Sequence, residues 1–230
     1  MINRSHSPKR SLRALGLALV AVLAFAGLAA SSASALSIEP SEPGEMTGTG
    51  EGPALTFRAA NGPTYTCAKS ESIWNASGGT GGQIDLTLRD CKLEFFGVIA
   101  YCTTAGQYKG TIVSSKLNYT VVYLDAAKTK FGYKLTPVSG NFAEFSCTTG
   151  GSYKWTGSVL GQITEPALNV GTNSANLQFT ASGSTQTYQQ VEGAGTSYHL
   201  SSSQNGGAPV NLAISANHVL SSSQQFTYLP

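Results

Sequence analysis

Apolar side chains in this chain recur at every second position, in short runs broken by Gly, Asn, Pro and Ser, without the three-to-four spacing of an amphipathic helix. Ile84, Leu86 and Leu88 alternate with Asp85, Thr87 and Arg89; Leu117, Tyr119, Val121 and Tyr123 share one parity. Phe131, Tyr133 and Leu135 alternate with Lys130, Gly132 and Lys134, and Leu177 and Phe179 with Asn176, Gln178 and Thr180. Side chains two apart share one face of an extended chain, so each run reads as a half-buried strand. Further strands are predicted at 54–58, 64–67, 142–147, 156–164, 187–191, 197–200, 210–215 and 224–229. The near-continuous apolar run from Leu93 to Tyr101 reads as a strand covered on both faces, at the centre of the core. Glu, Lys and Met are sparse, and Gly, Ser and Thr make up about a third of the residues beyond position 35, which favours strands and turns over helices. The expectation is an all-β fold, an antiparallel sandwich or jelly roll of roughly 10–12 strands, with a closed β-barrel as the competing architecture.

Residues 1–35 read as a secretory signal peptide. Arg4, Lys9, Arg10 and Arg13 precede an apolar stretch at 14–30, and Ala33-Ser34-Ala35 offers a small-x-small cleavage site. The stretch from Leu15 to Ala30 is shorter than the ~20 apolar residues that cross a bilayer, so cleavage is favoured over an anchor. Those four cations leave with the leader and no acid does; from 14 Lys and Arg against 12 Asp and Glu, the formal net charge moves from +2 to −2. So few scattered cations make no basic patch, which excludes a nucleic-acid partner. Beyond the leader no lipid-accepting cysteine and no apolar tail is found, so no membrane span is expected in the mature chain. Residues 36–52 carry Glu39, Glu42, Glu45 and Glu51 among prolines and glycines and read as an acidic linker. Residues 53–230 then form a single disulfide-stabilised β domain.

All four cysteines, Cys67, Cys91, Cys102 and Cys147, lie in the exported part, and an even count there favours two disulfides. A zinc site needs ligands at close spacing such as C-x-x-C, which these cysteines do not offer. Chain entropy gives about 7 kcal/mol in total to either of two connectivities and does not choose between them. The four-cysteine layout, with Gly140-Asn141-Phe142-Ala143-Glu144-Phe145-Ser146-Cys147 followed by Thr156-Gly157-Ser158-Val159-Leu160-Gly161-Gln162-Ile163-Thr164, resembles a group of exported four-cysteine β-proteins. These occur as many paralogues in some actinobacteria and carry no assigned activity. The resemblance covers most of the body and implies a secreted bacterial protein with consecutive pairing, Cys67 with Cys91 and Cys102 with Cys147.

Catalytic signals are sparse. A Ser or Cys nucleophile needs an oriented base, and beyond the leader only His199 and His218 offer an imidazole. Both read as solvent-facing, and no G-x-S-x-G elbow exists. Glycoside hydrolysis needs two carboxylates in one cleft. Glu94, inside the most apolar run, and Glu144, alternating with Phe142, are the two worth naming; each reads more simply as a strand-end or ion-paired residue. Gly78-Gly79-Thr80-Gly81-Gly82 resembles part of a calcium-binding nonapeptide, but Gln83 stands where the liganding Asp belongs, so it reads as a hairpin loop. Trp74, beside that loop, and Trp155, at the start of a strand, are the candidate binding residues, since exposed indoles make stacking platforms for sugars or proteins.

The chain is therefore expected to be secreted, extracellular or at the cell surface, and to act as a binding or surface-structural domain without catalysis, cofactor or metal. Its ligand, protein or glycan, is not specified by these residues. The alternatives are an extracellular glycosidase-like hydrolase and a carrier of a small apolar ligand inside a barrel.

Overall fold

Eight long staves, each with alternate side chains turned inward, build the computed structural model, which describes residues 36–60 and 62–230; the predicted leader at 1–35 lies outside the described residues. The first stave holds β1 (Ser37–Pro40), β2 (Met46–Gly52) and β3 (Leu55–Ala59), and the second β4 (Thr64–Cys67) and β5 (Lys69–Ala76). The third is β6 (Gly81–Arg89) and β7 (Lys92–Phe95), and the fourth β8 (Val98–Thr103), β9 (Ile112–Val113) and β10 (Leu117–Tyr123). β11 (Phe131–Pro137) with β12 (Ala143–Cys147) makes the fifth, and β13 (Gly151–Gly157) with β14 (Val159–Glu165) the sixth. The seventh is β15 (Thr172–Phe179) and β18 (Leu200–Gln204), with a small hairpin of β16 (Ala181–Ser182) and β17 (Thr185–Gln186) between them. The eighth is one unbroken strand, β19 (Val210–Leu229).

Each stave pairs antiparallel with the next and the eighth returns to the first, so the meander closes twice. One ring is β2, β5, β6, β10, β11, β14, β15 and β19. The other is β3, β4, β7, β8, β12, β13, β18 and β19. β19 belongs to both: 210–215 pair with β18 and β3, and 216–222 with β15 and β2. Its core residues Leu212, Ile214, Leu220, Phe226 and Tyr228, with the buried His218, share one parity, so one core runs through both rings; the small Ala213 is buried on the other face. Between the rings the staves break at left-handed residues, Asp90 (φ 52°) in the third and Gly157 (φ 96°) in the sixth.

An eight-stranded barrel has an interior that side chains just fill. In the second ring Phe57, Tyr65, Phe145, Tyr153 and Trp155 pack together, with Phe57 and Trp155 centroids 4.2 Å apart. In the first ring Trp74, Tyr119, Tyr133, Phe226 and Tyr228 do the same. The buried hydroxyls of Tyr133 and Tyr228 bond each other at 2.7 Å, and burial pushes the Tyr133 phenol well above its ordinary range. Cys67–Cys91 ties the second stave to the third, and Cys102–Cys147 the fourth to the fifth, the pairing that the resemblance implied.

The all-β antiparallel expectation holds, with barrel closure and with 19 strands because the staves are broken. Four readings are corrected. Residues 36–52 are not a linker: Leu36, Ile38 and Met46 are buried, and β2 is the part of the first stave that pairs with both β5 and β19. After Met46 the inward positions of β2 are Gly48, Gly50 and Gly52, so the alternation is there with a single apolar side chain to reveal it. The run Leu93 to Tyr101 is not a central strand but a hairpin, turned at Phe96-Gly97. The predicted strands at 187–191 and 197–200 are irregular chain up to Leu200, where β18 begins; the segment is tied to the barrel where the Glu192 N–H donates to the Tyr123 carbonyl.

Candidate functional site

The first polar group inside the barrel is His218, which the sequence places in solvent and the structure buries at 4% exposure. Its Nδ1 lies 2.8 Å from Ser70 Oγ and its Nε2 2.8 Å from Ser72 Oγ. A neutral imidazole has one N–H, so one serine accepts from it and the other donates to it. The serines stand on β5 and the histidine on β19, with β2 between them; Gly50 and Gly52 leave the space through which they meet. Burial pushes the His218 pKa down to about 4, so the ring is neutral at pH 7. The adjoining cavity, lined by Leu55, Phe142, Phe179 and Ile214 among others, measures about 20 Å³, room for a single water. This arrangement satisfies a buried histidine; it gives no substrate access to a serine, and a cavity of that size takes no apolar ligand.

The two tryptophans are also inside, which corrects their assignment as binding residues. β5 continues through Ala76, so Trp74 is not on the glycine loop; its inward parity buries it, and its indole N–H donates to the Thr49 carbonyl at 3.2 Å. Trp155 is fully buried against Phe57 and Tyr65. Glu94 and Glu144 both point outward, on β7 and β12. Glu144 accepts from Asn141 and lies 3.7 Å from Lys154, a solvated pairing. His199 is exposed, as read from the sequence. Among the described residues no cluster of three His, Cys, Asp or Glu side chains that could hold a metal ion occurs.

The feature that sequence reading misplaced is the tip of the β7–β8 hairpin. Phe95 pairs with Val98, leaving Phe96 (φ 49°) and Gly97 (φ 77°) as a two-residue turn with both residues left-handed. Asn-Gly or Asp-Gly is the sequence such a turn prefers, and a bulky side chain there is an outlier. The aromatic ring is also in solvent: Phe96 is 92% exposed, Ile99 63%, Val98 54% and Phe95 44%. Phe95 and Val98 have the parity of the buried pair Leu93 and Ala100, yet both are exposed, because the flanking strands stop short; the Phe96 ring, 4.4 Å from that of Phe95, is part of the same tip. β4 reaches only to Glu94, and β12 pairs with β8 only at Cys102 and Thr103. The hairpin thus projects past its neighbours as a finger of five apolar residues. The other loops at this end, 60–63, 148–150 and 205–209, consist of Ala, Asn, Gly, Pro and Thr. Farther up the finger Lys92 pairs with Tyr101, and the ammonium groups of Lys92 and Lys109 lie 5.3 and 4.4 Å from the Tyr101 ring centroid.

By its architecture the chain is a closed eight-stave antiparallel barrel clipped by two disulfides. No family model, no curated protein and no solved structure matches it.

Proposed function

We propose that this protein is an exported, non-catalytic binding module whose contact element is the Phe95–Ile99 finger. The carrying observation is that Phe96 combines a left-handed backbone with 92% exposure. A bulky residue there costs stability on both counts, of order 1 kcal/mol for the backbone alone, and its ring contact, with Phe95 at 4.4 Å between centroids, stays within the finger and reaches no part of the core. Such a residue is explained by something outside the fold that it touches. The two disulfides and the signal-like leader support export, since paired cysteines persist in oxidising compartments. The separated, outward Glu94 and Glu144 and the enclosed His218 give no support to the glycosidase and nucleophile alternatives.

The test is binding of residues 36–230 to washed envelopes of the producing cell, wild type against Phe96→Asn. Asn-Gly suits this turn, so the variant keeps the fold and removes only the ring. Saturable binding that falls tenfold or more in the variant is expected. Equal binding by both proteins, or by neither, rejects the finger as the contact element.

A further inference from the structure

Resting on the finger as the contact element, we propose that its partner is a lipid bilayer, and that the barrel docks end-on with Phe95, Phe96, Val98 and Ile99 in the interfacial layer. This is insertion of a tip, not a membrane span, and it gives the protein a means of membrane attachment independent of its leader.

Size argues first. The four side chains expose on the order of 400 Å² of apolar surface, at about 200 Å² for a whole Phe. A stable protein interface buries about 800 Å² on each partner, and the three small-residue loops around the finger add no anchor side chain. Interfacial insertion requires no such complementary surface, only apolar groups that reach past the headgroups.

The distribution of side chains argues second. Phe95 and Val98 stand on one face of the hairpin, Phe96 at the turn and Ile99 on the other face beside its rung partner Glu94, so both faces present apolar side chains at the tip and the first charge stands one rung above the Phe95–Val98 pair. An apolar groove on a protein rewards one face; hydrocarbon rewards all of them.

Depth argues third. The Lys92–Tyr101 pair lies three rungs above Phe95–Val98, about 10 Å at ~3.4 Å per residue. An interfacial element buries its apolar part by about 5–10 Å, which sets Tyr101, Lys92 and Lys109 among the headgroups, where amphipathic side chains are favoured. Glu94, one rung above the tip, limits insertion to that depth, because a carboxylate is expensive in hydrocarbon.

Charge decides the lipid. Lys92, Lys109 and Arg58, the last in the same rung as Glu94 across β4, stand against Glu94 and Asp90, an excess of one cation, and the surrounding loops are uncharged, so attraction rests on apolar burial and does not require anionic headgroups.

The experiment is flotation of residues 36–230, which close on themselves around their own core, with phosphatidylcholine vesicles at low and high salt; the apolar leader is left out because it would bind lipid itself. Wild type and Phe96→Trp should float with the vesicles at both salt concentrations. Phe96→Asn and Phe95→Ser should partition at least tenfold less while keeping the near-ultraviolet dichroism of the buried aromatic residues. The new indole in Phe96→Trp should shift its emission to the blue on vesicle addition. Failure of the wild type to float, flotation that the substitutions leave unchanged, or binding confined to phosphatidylglycerol vesicles and lost in high salt would each overturn the proposal. Envelope binding that still depends on Phe96 without flotation would reject the lipid partner and leave the binding reading standing, with a protein or glycan in its place; a Phe96-dependent dimer without flotation would make a second copy the occupant.

Discussion

His218 on β19 and Ser72 on β5 hydrogen-bond at 2.8 Å across a strand that lies between them, because that strand, β2, has Gly50 at the crossing. With Ser70 on the other ring nitrogen, this polar bridge spans three neighbouring staves inside the first ring. Two consequences of this bridge are open to measurement.

Gly50→Ala should destabilise the barrel. A methyl group there would overlap the Ser72 hydroxyl and the His218 ring. Overpacking of a filled interior costs about 1–3 kcal/mol, and breaking the hydrogen bonds adds to it. Chemical denaturation should show a lower midpoint with an unchanged slope; a midpoint equal to wild type would mean that β2 shifts without cost.

His218 should make stability fall with acid. Its folded pKa of about 4 lies below the unfolded value of 6.5, so the unfolded chain binds the extra proton between those values. Stability from this group is complete above pH 6.5 and is lost progressively as the pH falls to about 4. A separation of this size corresponds to about 3 kcal/mol. His218→Gln should be less stable at pH 7 but should flatten that part of the pH profile. The Glu71 carboxyl, held low chiefly by its hydrogen bond from Arg89, and Asp125, held low by Thr129 and the Lys130 backbone N–H, act at lower pH and would persist in the variant. An unaltered slope between pH 6.5 and 4 would exclude His218 as its source.

The disulfides should contribute unequally. By loop closure, the separation of 45 residues at Cys102–Cys147 corresponds to about 4 kcal/mol and the separation of 24 at Cys67–Cys91 to about 3.4 kcal/mol. Paired Cys→Ser variants should rank in that order in denaturant. Non-reducing peptide maps that show any other linkage would contradict the assignment itself.

The strands of the barrel were legible where an apolar parity met a polar one, as in Leu117–Tyr123 and Phe131–Leu135. β2 was not, because its inward face is glycine: Trp74, His218 and Ser70 from neighbouring strands fill the room that its own side chains would take. The same crowding hid His218, whose partners are serines far away in sequence on β5. Trp74 was misplaced by one turn of reasoning, since the adjacent glycines lie in the hairpin loop while the ring lies two residues inside the strand. The finger was the reverse case: a near-continuous apolar run, broken only by Glu94, signals burial on both faces, and Gly97 within it hinted at a turn.

β19 also sets an order of events. It follows every other stave in the chain and pairs with the first, so neither ring can seal until it has been made and, if the chain is exported unfolded, until it has crossed. Up to that moment seven staves present open edges, the condition under which β-proteins associate wrongly. Truncation anywhere in 210–222 should therefore be far more damaging to yield of soluble protein than its share of the residues suggests, because the cooperative unit is the whole circuit.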